Sequence, residues 1–159
     1  MIKDKHIIGT SLMLVKFAQE TQVDKNNIPY MYHIYGVWNR LTNYNNFIQA
    51  LGIMHDLIED TSWTLEHLKT YGYDKKFIDA MDSLTRRESE KYSDYIIRVS
   101  KNKYAKIVKH ADLKDNLYRC LMYINLHPND RKNKSFKSLI KRYENALLDL
   151  AFITSKENK

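Results

Sequence analysis

Ala50-Leu51-Gly52-Ile53-Met54-His55-Asp56-Leu57-Ile58-Glu59-Asp60-Thr61 places a run of ligand-type side chains at the end of an apolar helical pattern. The apolar positions begin at Phe47 and Ile48, and their spacing predicts one helix over 47–59. Residues four apart share a helix face, so His55 lies over Glu59 and Asp56 over Asp60. Burying carboxylates in such a segment is unfavourable unless something compensates, and a bound cation is the usual compensation. The stretch therefore points to a metal-dependent hydrolytic site on a helical scaffold.

Outward from this stretch the pattern stays helical. Helices are predicted over 9–22, 32–41, 64–71, 74–85, 93–99, 103–124 and 135–154. Thr64 is placed to cap one of them and Gly72 to end it. Pro29 breaks the chain between the first two, and no β alternation runs beyond three or four residues. The expected architecture is all-α: one compact domain over 1–159 with about seven or eight helices. Its motif-bearing core covers about 10–125, its closing helix is 135–154, and the tail 155–159 frays.

Composition narrows the function classes. Lys and Arg outnumber Asp and Glu by 26 to 19, a net charge of +7, which favours an anionic partner such as a nucleotide or phosphate ester. The basic residues are dispersed and no recognition-helix motif is present, so nucleic-acid binding is disfavoured. Lys132, Lys134, Lys137, Lys141 and Arg142 read as a solvated face, and Lys114 and Asp115 as surface charge. The single cysteine, Cys120, reads as a core residue and fits a reducing cytosol. No apolar run suits a signal segment or a membrane span, so a soluble, cytoplasmic protein is expected. A homo-oligomer is left open.

Two further ligand types flank the stretch: His33, twenty-two residues before His55, and Asp112, four residues before Asn116. With them the sequence resembles the HD-domain phosphohydrolases, above all the hydrolase domain of the Rel/SpoT alarmone enzymes and their small stand-alone relatives. The matching text is Pro29-Tyr30-Met31-Tyr32-His33, then 50–61, Thr64, Leu84-Thr85, and Val108-Lys109-His110-Ala111-Asp112 with Asn116. The resemblance implies an HD-domain helical bundle with His33, His55, Asp56 and Asp112 as ligands of one divalent metal, usually Mn²⁺. It implies that Glu59 and Asp60 activate and orient the attacking water. It also implies that Asn116 contacts the nucleotide, with Lys25, Thr85 and Arg86 as further phosphate or substrate contacts.

One position departs from the family. An arginine that packs on the guanine base belongs nine residues before the first histidine, and this chain has Asp24 there. The expected activity is hydrolysis of a phosphorylated nucleotide, most specifically removal of the 3′-pyrophosphate of (p)ppGpp. The alternatives are hydrolysis of a nucleoside monophosphate or cyclic nucleotide, and a non-catalytic nucleotide-binding regulator.

Overall fold

The computed structural model describes residues 2–157, with side chains as far as Ala151. Among these residues the chain forms nine helices. They are α1 (Asp4–Gln19), α2 (Met31–Asn39), α3 (Asn46–Met54), α4 (Leu57–Asp60), α5 (Leu65–Thr70), α6 (Lys75–Leu84), α7 (Tyr92–Ser100), α8 (Lys103–Leu126) and α9 (Asn133–Glu157). The expected all-α class holds, and the extended pairing among the described residues is one isolated bridge between Val23 and Pro29.

The extra helix arises from a break in the predicted 47–59 segment. α3 ends at Met54 and the single turn α4 begins at Leu57. Asp56 at the junction has φ −100° and ψ −1°, in the bridge region between helix and turn. On an unbroken helix adjacent side chains diverge by about 100°. The break is what allows His55 and Asp56, neighbours in sequence, to aim at one point.

α3 is the centre of the bundle. Ile48, Ala50, Leu51, Gly52, Ile53 and Met54 are buried, and α1, α2, α6 and α8 pack around them. Gly52 admits Leu41: a Cβ there would lie 2.3 Å from Leu41 Cδ1. Local chemistry fixes the helix starts. Asn45, Asp74 and Asn102 each accept amide N–H groups from the first turn of α3, α6 and α8. Thr64 and His67 close a reciprocal cap on α5, and Gly72 beyond it has φ 91°.

The segment 86–91, a charged loop, is anchored. Arg98 donates to both carboxylate oxygens of Glu90, at 2.8 Å each, and to the carbonyls of Asp82, Ser83 and Thr85. α9 overruns the expected 135–154 at both ends and packs on α8 and α7. It continues through Glu157, within the tail expected to fray; Asn158 and Lys159 lie outside the described residues. No helix among the described residues is long and apolar enough to cross a membrane.

Candidate metal centre and adjoining cavity

Three elements deliver four side chains to one point. His33 comes from the first turn of α2, His55 and Asp56 from the α3–α4 break, and Asp112 from the middle of α8. The two Nε2 atoms are 3.2 Å apart. Asp112 Oδ1 lies 3.2 Å from His33 Nε2 and 3.6 Å from His55 Nε2. Asp56 Oδ2 lies 2.9 Å from His55 Nε2 and 3.6 Å from His33 Nε2. His33, His55 and Asp112 are only 2–3% exposed, and together they form a group able to hold a metal ion.

The outer partners show which way the lone pairs face. His55 Nδ1 lies 2.8 Å from the Gly52 carbonyl, which can only accept, so that nitrogen carries the proton. His33 Nδ1 lies 2.9 Å from Asp115 Oδ2, with the same consequence. Both Nε2 lone pairs therefore turn inward, toward two carboxylate oxygens. With the imidazoles in the neutral form that a metal requires, two imidazole nitrogens and two carboxylate oxygens present only lone pairs and suit a borderline or hard divalent cation.

The electrostatics agree. Burial pulls the His55 pKa down, but Asp56 and Asp112 outweigh it and raise it to about 9. Burial likewise opposes protonation of His33, and hydrogen bonds to Asp112, Asp115 and Asp56 hold its pKa well above the usual value. Burial would raise the Asp112 carboxyl, yet Lys109 and the two histidines keep it well below the ordinary range. The cluster is built to surround positive charge.

Several neighbours fix these groups in place. The Tyr30 hydroxyl donates to Asp56 Oδ2. Lys109 Nζ lies 2.7 Å from Asp112 Oδ2, and Asn116 Nδ2 donates to Asp112 Oδ1. Glu59 and Asp60 stand at the end of α4. Glu59 Oε2 accepts the Arg86 backbone N–H at 3.1 Å. Desolvation, then the charges of Asp56 and Glu59, push the Asp60 pKa upward.

Two adjoining cavities open beside the cluster. The larger, about 470 Å³, reaches His33, Asp60 and Asn116 and is walled by Tyr30, Leu139, Phe136 and Tyr143, with Lys25 and Arg119 also in its lining. The smaller, about 350 Å³, is dominated by charge: Asp56, Glu59, Asp60 and Asp112 face Lys25, Arg86, Lys109 and Arg142. Tyr30, Lys25, Asp60, Asn116 and Tyr143 belong to both linings. An aromatic chamber thus meets a polar one next to the four-atom cluster.

Most residues singled out in the sequence meet here, with corrections. Lys25, Arg86 and Asn116 reach the cavities, whereas Thr85 lines neither. Its hydroxyl donates to the Met81 carbonyl at 2.9 Å and closes the last turn of α6. Asp115 is not surface charge: it is 4% exposed and holds His33. Its three-residue spacing from Asp112 places both on one face of α8. Arg142 is not merely a solvated residue, since it lines the polar cavity. The apolar stripe Phe136, Leu139 and Tyr143 on α9 is spaced as core and forms cavity wall. Cys120 is buried, and burial raises its thiol pKa. Asp24 is bound through Oδ1 by the backbone N–H groups of Asn26 and Ile28, and through Oδ2 by the Arg119 guanidinium. A guanidinium therefore does stand on this wall, supplied by α8.

No family model matches the chain, and no curated protein matches its sequence. One solved structure is that of a protein described as a metazoan ortholog of SpoT that hydrolyses ppGpp and plays a role in starvation responses. The match covers 99% of this chain and 98% of that one, with a TM-score of 0.64 and 17% identity. The likeness shows the fold along the described length: an all-α bundle of the HD-domain type.

Proposed function

We propose that the protein is a metal-dependent phosphohydrolase acting on a phosphorylated nucleotide, with 3′-pyrophosphate removal from (p)ppGpp as the most specific form. The observation that carries this reading is the convergence of His33 Nε2, His55 Nε2, Asp56 Oδ2 and Asp112 Oδ1 beside a charged cavity. These four would hold one divalent ion, Mn²⁺ in the leading form of the proposal. Bound there, such an ion supplies a lowered pKa for water and positive charge beside a phosphate oxygen.

The chain's own residues account for the rest. Glu59 and Asp60 orient the attacking water and take its proton, and the upward push on the Asp60 pKa suits it to accept a proton. Lys25, Arg86, Lys109 and Arg142 offset phosphate charge in the smaller cavity. Tyr30, Phe136 and Tyr143 offer apolar surface to a nucleobase in the larger one. With ppGpp, the water oxygen bonds to phosphorus, the 3′ ester P–O bond breaks and the leaving 3′ oxygen takes up a proton, giving GDP and pyrophosphate. The ppGpp hydrolysis described for the structural relative supports this substrate choice, as does the matching order of His33, His55-Asp56 and Asp112.

Product analysis of the purified protein with Mn²⁺ tests the reading, using ppGpp, cyclic nucleotides and nucleoside monophosphates as substrates. Pyrophosphate release from ppGpp is the expected result. Turnover of another member of the panel would redirect the substrate, and turnover of none would sink the proposal. Nucleotide binding without turnover would instead identify a regulator.

A further inference from the structure

We infer that Asp115 is a positioning residue for the metal centre, working with a gap at Gly36 and a counter-charge at Arg40 that hold it against His33. The inference rests on the metal-centre reading above and adds an unequal division of labour between the two histidines. Asp115 Oδ2 lies 2.9 Å from His33 Nδ1, and Arg40 Nη2 lies 3.3 Å from Asp115 Oδ1. The carboxylate is 4% exposed, so one oxygen serves the imidazole and the other a guanidinium.

The fit depends on a missing side chain. A Cβ on Gly36 would lie 2.3 Å from Asp115 Oδ1, 2.8 Å from Cγ and 2.9 Å from Oδ2. Every atom of the carboxylate group would have to move. His33, Gly36 and Arg40, the last at the C-cap of α2, stand at i, i+3 and i+7, so one helical stripe carries the proposed ligand, the space and the counter-charge. Arg40 also lies over the Tyr118 ring, 5.8 Å from its centroid, one turn beyond Asp115 on α8.

The consequence is an asymmetric pair. The proton on His55 Nδ1 meets a neutral carbonyl, whereas that on His33 Nδ1 meets a carboxylate. A carboxylate fixes the tautomer and raises the electron density of the inward Nε2 more strongly than a carbonyl does. His33 is therefore the stronger nitrogen donor, and its strength is set by α8 through Asp115.

Calorimetric titration of the metal-stripped full chain with Mn²⁺ alone tests this, beside nitrogen-15 spectra of the histidine rings in Zn²⁺-loaded protein. Asp115→Leu should weaken binding about 10- to 100-fold. Asp115→Asn keeps an oxygen that accepts from Nδ1–H and should recover most of that loss, and Gly36→Ala should resemble Asp115→Leu. The wild-type spectrum should show His33 protonated at Nδ1, a result that needs no variant to fold. Equal Mn²⁺ affinity in Asp115→Leu, or a His33 Nδ1 without its proton, would overturn the inference and leave the metal centre standing. Absence of Mn²⁺ binding by the wild type would instead overturn the metal-centre reading itself.

Discussion

At the residue scale, the proposed function assigns holding the ion and handling the water to different groups. Asp56 and Asp112 each bring a carboxylate oxygen within 3.6 Å of both histidine Nε2 atoms, while Glu59 and Asp60 face the cavity beside them. Replacing Glu59 and Asp60 together with alanine should lower turnover by about 10²- to 10⁴-fold. Mn²⁺ affinity, read by calorimetry, should change little; an equal loss of both would show that these carboxylates are ligands. Asp112→Leu should abolish Mn²⁺ binding and also leave Lys109 Nζ buried without its 2.7 Å partner, so its melting temperature should fall. The four clustered residues are legible in the sequence because their types and order are unusual in an apolar helical context. Asp115 is not, because its role depends on how closely α2 approaches α8 at Gly36. That distance is a tertiary fact with no local pattern.

At the scale of elements, apolar periodicity locates the helices but not the break at His55 and Asp56. A single residue at φ −100°, ψ −1° leaves the spacing on either side undisturbed. α3 carries a large share of the core around the site, with six of its nine residues buried. Leu51 is fully buried in it, and Leu51→Ala should cost about 2–5 kcal/mol, measurable by urea unfolding. The 86–91 loop gives a pH signature. Hydrogen bonds from Arg98 lower the Glu90 pKa from 4.5 to about 2, against the opposing effect of burial. A depressed folded-state pKa contributes stability above the unfolded value and loses it as pH falls through the folded one. Stability should therefore drop between pH 4.5 and 2, and Glu90→Gln should flatten that part of the profile. An unchanged profile would remove the pair from the account.

At the scale of the whole molecule, α9 closes a cavity that the metal motif alone leaves open. Phe136, Leu139, Arg142 and Tyr143 bring a wall and a charge to residues contributed by α2, α4 and α8. Replacing Phe136 with alanine should raise KM for a nucleotide more than it lowers kcat, since it removes binding surface and no proton-handling group. The sequence pattern places this stripe on one helical face, but core and cavity wall share the same spacing. Only packing against α8 and α7 separates them. An ion held at this cluster by three separate helical segments would tie the fold together. Mn²⁺ at 100 times its Kd should add about 2.7 kcal/mol to stability. The most direct test of the central claim is turnover of ppGpp by the metal-stripped protein as Mn²⁺ is added back. The account predicts no pyrophosphate release without metal, and release that rises and saturates at one bound ion per chain. Metal-independent release, or none at any Mn²⁺ concentration, would contradict it.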